Sequence, residues 1–305
     1  MTMTSPRARA AVAGFAAAAV IAAGGAVAAA GAAAHRAAPG AAAHRAALAA
    51  QARASLLRYL RGTRPFNVPG RGGGPRGVTP STVNARAGAL GAGATGSYNW
   101  SGYADTAAPG SFTAVSGRWR QPAAFCGEEQ ELAAFWVGLD GLSDATVEQD
   151  GTLAYCFEGQ PYYYSWWEMY PGNSVTVGSS VLPGDLIAAS VTRSGASYTL
   201  ALTDVSHPAN SFSTVQACSA CQDSSAEWIA ERPAFPIGIT PLAFFTGWTL
   251  ASGSQTSDGN TASIGSGPGV TSITMVDATD SYALDSISPL FAAGSSFGAS
   301  WQDSY

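Results

Sequence analysis

Lysine is absent from the 305-residue chain, and histidine occurs only three times. His35 and His44 precede the part of the chain that has a core-forming pattern, so only His207 remains there. Without lysine, Schiff-base chemistry and Ser–Lys dyads are excluded, and a Ser–His or Cys–His pair would depend on that one histidine. The chain also lacks a G-x-S-x-G elbow, an H-E-x-x-H motif, a Walker A motif and a G-x-G-x-x-G motif after a βα unit. Proton transfer in an enzyme of this composition therefore falls to carboxylates.

Acidic and basic residues occupy different parts of the chain. All 20 Asp and Glu residues lie from Asp105 onward, whereas 11 of the 15 arginines lie at or before Arg86. A cut near residue 97 thus separates a leader of net charge +11 from a domain of net charge −16. A basic leader can bind nucleic acid or anionic lipid, or be a solvated tail. Its charge complements the acidic domain, which favours a prosegment that covers that domain.

The N-terminus has the pattern of an export signal. Arg7 and Arg9 precede a long Ala-rich apolar run that ends in small residues. That order matches the basic, apolar and cleavage regions of a secretory signal. A retained membrane span is the alternative, but Ala and Gly are only weakly apolar. We predict a signal peptide over residues 1–34, a secreted protein and a mature form without membrane association.

Residues 35–96 are predicted to be a basic prosegment and a Gly/Pro/Ala-rich linker. The segment AALAAQARASLLRYLRG spaces leucines and arginines as an amphipathic helix does. The connectors that follow have no core-forming pattern. We expect this prosegment to be an intramolecular inhibitor or chaperone of the domain that follows it. We expect that domain to be monomeric and not to bind nucleic acid.

From about Tyr98 onward, short runs rich in Val, Thr, Tyr, Phe and Trp alternate with Gly, Pro, Asp and Ser. Roughly ten or more strands and no helical period predict an all-β antiparallel sandwich or barrel over residues 97–305. Four cysteines lie in this region, and in an exported chain they are expected to form two disulfides. We favour Cys126–Cys156 with Cys218–Cys221. The C-S-A-C segment could instead be a redox pair or half of a zinc site, but no supporting motif accompanies it.

Two strand-like segments carry carboxylates on a single face. In AEWIAER, Glu227 and Glu231 share one strand face, and in YYYSWWEMYP, Glu168 shares a face with alternate aromatic residues. The aromatic face either packs in a sandwich, with Glu168 at its wet edge, or lines a groove for an extended sugar or peptide polymer. The pattern alone does not rank these carboxylates.

Five segments resemble, in order, motifs of the glutamic peptidases, or eqolisins. They are YNWSGYA, FWVGLDG, VEQDG, WWEMYP and SAEWIAE, between residues 98 and 231. The resemblance implies a concave two-sheet antiparallel β-sandwich, concanavalin- or jelly-roll-like, with a substrate cleft. It also implies a secreted preproenzyme that hydrolyses polypeptides at acid pH with a Gln–Glu dyad, without a cofactor or a metal.

The resemblance places the dyad on Gln149 and Glu231. An ionised Glu231 would activate water and protonate the leaving amine, and Gln149 would stabilise the oxyanion. Because Gln149 is neutral, we expect Glu231 to stay ionised in moderately acidic medium. The family more often has L-Q-T-G where this chain has E-Q-D-G, so Glu148 is a candidate modifier of the site. The residues expected to line or support the cleft are Trp136, Asp140, Trp166, Glu168 and Glu227.

Two other functions remain open from the sequence. A glycoside hydrolase could use Glu168 and Glu231 as its carboxylate pair, with aromatic side chains as sugar platforms. A non-catalytic carbohydrate- or protein-binding sandwich is the other, although it leaves the basic leader unexplained. Replacing Gln149 with Ala separates the first of these from a peptidase, because a carboxylate pair does not need that amide.

Overall fold

The computed structural model describes residues 39–62, 94–142, 144–177, 181–235, 238–277 and 282–305. By compactness the chain divides into residues 1–42 and residues 43–305. The predicted signal peptide and most of the predicted linker lie outside the described residues, so their boundaries stay predictions. No helix within the described ranges is long and apolar enough to cross a membrane.

Helix α1, Pro39–Gly62, is followed by β-strands. The strands are β1 Thr95–Ser97, β2 Trp100–Thr106, β3 Phe112–Arg120, β4 Ala124–Phe125, β5 Leu132–Leu139, β6 Val147–Phe157, β7 Gln160–Tyr170, β8 Val175–Val177, β9 Leu186–Ser194, β10 Ser197–Asp204, β11 Phe212–Ala217, β12 Ser225–Glu231, β13 Ala234–Phe235, β14 Gly238–Ile239, β15 Phe244–Phe245, β16 Trp248–Ser257, β17 Asn260–Ser263, β18 Thr271–Met275, β19 Asp285–Ile287 and β20 Phe297–Trp301. Short 3₁₀ turns span Pro208–Asn210 and Ile264–Ser266.

Most of the strands form two large sheets. The first has the order β1-β18-β2-β12-β5-β6-β7-β8, and the second has the order β11-β10-β9-β3-β16-β20-β19, with β17 paired to β16. Antiparallel pairing dominates, and β1 pairs with β18 in parallel. The predicted all-β two-sheet sandwich is confirmed. The chain after Glu231 supplies β18 to the first sheet and β16, β17, β19 and β20 to the second.

Alternation along β5 separates the interior of the sandwich from its outer face. Phe135 and Val137 belong to the main core cluster, which includes Leu200 and Trp248 from the second sheet. The alternate residues Ala134 and Trp136 point the other way, into a second apolar cluster. This second cluster comprises Ala52, Leu56, Trp100, Ala104, Leu132, Ala134, Trp136, Val147, Leu153, Tyr155, Tyr164, Trp166, Ile229 and Ile273. It covers the outer face of the first sheet.

Helix α1 packs on that outer face. Ala52 and Leu56, four residues apart and thus on one side of the helix, are completely buried in the second cluster. The Tyr155 hydroxyl of β6 donates to Ser55 Oγ at 3.3 Å. Ala54, on the other side of the helix, is exposed. The predicted helix is therefore confirmed, with Ala52 and Leu56 on its buried side.

Both predicted disulfides form. Cys126 in the β4–β5 connection is bonded to Cys156 at the end of β6. Cys218 is bonded to Cys221 in the connection between β11 and β12. The C-S-A-C segment is thus a closed disulfide loop.

Candidate active site

The outer face of the first sheet carries both predicted dyad residues. Glu231, the last residue of β12, pairs with Ala134 of β5, and Gln149 of β6 pairs with Glu168 of β7. Side chains alternate along each strand, so all of these side chains project on the face that carries Trp136. Trp166, a second predicted cleft residue, is buried on the same face. The carboxylates therefore lie beside aromatic side chains, outside the main core.

Glu231 is held by two nitrogen donors. Trp136 Nε1 donates to Oε2 at 2.8 Å, and Asn99 Nδ2 donates to Oε1 at 3.3 Å. Burial raises the pKa of Glu231 to about 7, and the hydrogen bonds from Trp136 and Asn99 oppose that rise. This pKa lies above the moderately acidic range in which the neutral Gln partner was expected to keep Glu231 ionised. Loss of hydration, rather than a like charge, is the cause.

Trp136 depends on two glycines for its position. Its ring is completely buried and packs edge-on against Trp100, with ring centroids 4.8 Å apart. A β-carbon at Gly138 would lie 2.9 Å from the Trp136 ring, and one at Gly151 would lie 2.2 Å from the Phe135 carbonyl oxygen. Any larger residue at either position would displace the strand or the ring. The glycines of the W-V-G and Q-D-G segments thus fix the indole that binds Glu231.

Gln149 is oriented by Glu168. Its Nε2 donates to Glu168 Oε2 at 2.7 Å, and the Gln149 residue is nearly buried. The pKa of Glu168 is raised to about 8, first by burial and then by the charge of Glu231, while the Gln149 hydrogen bond opposes the rise. Of the two carboxyl groups, Glu231 therefore ionises first. Environments that separate two pKa values in this way are typical of sites in which one carboxyl group acts as a base and the other stays neutral.

Asp140 supports a loop. It follows β5 with a left-handed φ of 67°, and its carboxylate accepts three backbone N–H bonds at 2.7–2.8 Å from the segment that leads into β12. The donors are Gln222, Asp223 and Ser224. Asp140 thereby fixes the entry to the strand that ends at Glu231.

Glu227 and Glu148 lie in a buried acidic group near Asp140. Glu227 is completely buried on the dyad's side of β12, and burial, followed by the charges of Asp140, Asp144 and Glu148, raises its pKa well above the usual value. Glu148 alternates with Gln149 and so projects to the opposite side of β6, where Oε1 lies 2.8 Å from the Cys221 sulfur. Burial raises the pKa of Glu148 to about 10. The effect of Glu148 on the site stays a prediction.

Asn99 is a site residue for which the sequence predicted no role. It lies in the Y-N-W-S-G-Y segment, yet its partner Glu231 is 132 residues away in the chain. Only the pairing of β2 with β12 brings them together. The signal available in the sequence was the position of Asn99 within a motif that the resemblance had already selected.

Two groups of potential metal ligands occur within the described residues. One is Glu148 with Cys218 and Cys221, and the other is Asp185 with Asp204 and His207. The cysteines of the first are joined to each other, and in the second His207 Nδ1 is paired with Asp185 Oδ1 at 2.9 Å. Neither group includes Gln149 or Glu231.

Comparisons with known proteins agree with this fold. The family model described as the peptidase A4 family matches residues 98–288. A crystal structure of scytalido-glutamic peptidase with a transition-state analog inhibitor is 23% identical, with a TM-score of 0.57, and the match covers 67% of this chain and 98% of that chain. SCP-B, a member of the eqolisin family solved with the tripeptide Ala-Ile-His, is 22% identical, with a TM-score of 0.53 and the same coverage of 67% and 98%. No curated protein sequence matches the chain. Because the family model spans more than half of the sequence, the chain belongs to the peptidase A4, or eqolisin, family of glutamic endopeptidases.

Proposed function

We propose that the protein is a secreted acid endopeptidase that cleaves polypeptides with Glu231 and Gln149 and is synthesised as a zymogen. The observation that carries the proposal is the site of Glu231. Its carboxylate is held by Trp136 and Asn99 on the sheet face that also presents the Gln149–Glu168 pair. Membership of the peptidase A4 family supports the same reaction.

Glu231 acts as the general base. In its ionised form it removes a proton from a water molecule, whose oxygen attacks the scissile carbonyl carbon. The same carboxyl group then returns the proton to the amine nitrogen as the C–N bond breaks. Glu231 is the first of the two carboxyl groups to ionise, because its pKa of about 7 is below the value of about 8 for Glu168, and in acid medium only the fraction of the enzyme with ionised Glu231 acts.

Gln149 stabilises the oxyanion. As the carbonyl carbon becomes tetrahedral, its oxygen gains negative charge, and an amide N–H of Gln149 donates to it. Glu168 accepts a hydrogen bond from the other N–H of the Gln149 amide and so holds the amide in place. Loss of one oxyanion donor typically costs about 3 kcal/mol of transition-state stabilisation.

The prosegment inhibits the enzyme by covering the site. Ala52 and Leu56 of α1 are buried in the cluster that includes Trp136 and Trp166, so the helix occupies the face where a substrate would bind. The leader of charge +11 is also attracted to the domain of charge −16. Acid protonates carboxylates and weakens this attraction, which would favour release of the leader at the pH where the enzyme works.

Glu231→Gln is the variant that tests the proposal. Casein digestion by the acid-incubated full chain, measured between about pH 2 and pH 7, should fall by more than roughly a hundredfold because the base is lost. Glu128→Gln changes an exposed carboxylate and should digest casein like the parent protein. Proteolysis that is equal in both variants would remove Glu231 from the mechanism.

The variant Gln149→Ala distinguishes a peptidase from a glycoside hydrolase. A peptidase that needs the amide as its oxyanion donor should lose about a hundredfold in kcat, whereas hydrolysis by the carboxyl groups of Glu168 and Glu231 alone should persist. The acid-incubated Gln149→Ala protein is therefore assayed on both casein and a panel of soluble polysaccharides.

A further inference from the structure

We propose that Arg232 is a positioning residue for catalysis, which aims the Asn99 amide at Glu231 by pinning the turn that carries Asn99. The inference rests on the proposed role of Glu231 as the base. Arg232 does not touch the carboxylate through any hydrogen bond described for its side chain. It acts through the backbone of the neighbouring turn between β1 and β2.

Arg232 binds the backbone at two successive residues of that turn. Its Nε donates to the Tyr98 carbonyl oxygen at 2.6 Å, and its backbone N–H donates to the Asn99 carbonyl oxygen at 3.0 Å. Its Nη2 reaches the Val276 carbonyl oxygen at 3.5 Å. One residue therefore attaches the turn both to the end of β12 and to the end of β18.

Ser97 completes the orientation of Asn99. The Ser97 hydroxyl donates to Asn99 Oδ1 at 3.3 Å and accepts the backbone N–H of Trp100 at 3.1 Å. Because the amide oxygen of Asn99 is directed at Ser97, its nitrogen is left to donate to Glu231 Oε1 at 3.3 Å. The geometry thus sets which end of the Asn99 amide faces the carboxylate.

Arg232 is unusual among the cations of the domain. It is 6% exposed, whereas Arg118, Arg120 and Arg193 are exposed or partly exposed. A buried guanidinium loses its hydration and needs fixed acceptors. Here the acceptors are backbone carbonyls at the edge of the site.

Charged and titratable groups among the described residues act on both Arg232 and Glu231. Asp277 and Tyr282 act on the charge of Arg232, and Glu168 is the carboxyl group that senses the charge of Glu231. A donor to the ionised form of a carboxyl group lowers its pKa. Release of the turn would withdraw the Asn99 donor, so Glu231 would ionise at a higher pH.

The test is a double-mutant cycle read from the pH profile of kcat/KM. Arg232→Met and Asn99→Ala should each move the acid limb to higher pH by about one pH unit, since a hydrogen bond to a charged group has that effect. If Arg232 acts through Asn99, the double variant should move the limb no further than either single variant. At a fixed pH below the limb, activity should fall roughly tenfold for each pH unit by which the limb moves.

Arg120→Met is the matched control, because exposed Arg120 also donates to a backbone carbonyl, that of Gly184 at 2.9 Å. It should leave the limb unchanged. Thermal unfolding of each variant establishes that it is folded. Arg232→Lys keeps the charge but not the planar guanidinium, and it is measured in parallel. If Arg232→Met does not fold, the acid limb of Arg232→Lys tests the inference. A folded Arg232 variant whose limb stays in place, or additive movements of the limb in the double variant, would overturn the inference. Full activity of Glu231→Gln would instead overturn the proposed function.

Discussion

The chemistry of the site depends on which of two neighbouring carboxyl groups gives up its proton first. Glu231 receives hydrogen bonds from Trp136 and Asn99, whereas Glu168 receives one from Gln149 and also experiences the charge of Glu231. The pKa of Glu168 therefore lies above that of Glu231. Over the pH range in which Glu231 ionises, Glu168 is neutral and accepts the hydrogen bond of the Gln149 amide.

This order of ionisation predicts different results for two substitutions at Glu168. Glu168→Gln keeps an acceptor for Gln149 and replaces a group that is already neutral, so kcat and the acid limb should change little. Glu168→Leu removes the acceptor and should lower kcat roughly tenfold or more, because the oxyanion donor is no longer held. Both variants are tested by measuring pH profiles of kcat on one peptide substrate. An acid limb that moves by a full pH unit in Glu168→Gln would show that Glu168 is charged while Glu231 ionises.

Residue types in the sequence were sufficient to predict carboxylate chemistry, but not to identify the residues that support the carboxyl groups. The absence of lysine and the single remaining histidine left Asp and Glu as proton carriers, and the ordered motifs selected Glu231. Asn99 and Arg232 could not be assigned in that way. Their contacts join segments 132 to 134 residues apart, and no local pattern encodes such a distance.

At the scale of elements, the strands were predictable and their order was not. Alternation in LAAFWVGL and in AEWIAE indicates strands with two different faces, which β5 and β12 have. The position of β12 between β2 and β5, and of β18 beside β2, depends on long-range pairing. The sequence therefore predicted a sandwich with carboxylates on a strand face, but not that β6 with Gln149 and β12 with Glu231 would flank β5 in one sheet.

Helix α1 provides a prediction at this scale. Leu56→Asp places a charge in the apolar contact between α1 and the first sheet, where loss of a buried Leu alone typically costs about 2–5 kcal/mol. The helix should detach more readily, and the full-length chain should hydrolyse a peptide substrate before any acid incubation. Ala54→Asp, a matched change on the exposed side of the same helix, should remain inactive. The assay is the initial rate at about pH 6, with electrophoresis to show that the leader is uncleaved. Equal rates in the two variants would contradict a covering role for α1.

At the scale of the whole molecule, the domain buries more carboxyl groups than its arginines can neutralise. Among the described residues, five carboxyl residues are completely buried and have raised pKa values, chiefly because they are desolvated. They are Asp105, Glu148, Asp150, Glu227 and Asp285, of which Glu148 has a pKa of about 10 and Asp285 of about 7. Only four arginines accompany the 20 carboxylates of the region after residue 97. The folded state therefore holds protons that the unfolded chain releases.

The consequence is a fold that is stable in acid and loses stability toward neutral pH. A carboxyl group whose pKa is raised by folding contributes its stabilisation fully below its unfolded pKa, near 4, and loses it as pH rises through the folded value. The free energy of unfolding, measured by urea titration, should thus fall steadily between about pH 5 and pH 8, by up to about 1.4 kcal/mol per pH unit for each such group. Glu227→Gln replaces one buried acid with a neutral group of the same shape and should flatten this decline. Exposed Glu128→Gln should leave the slope unchanged, and an equal slope in both variants would mean that Glu227 does not retain its proton in the folded state.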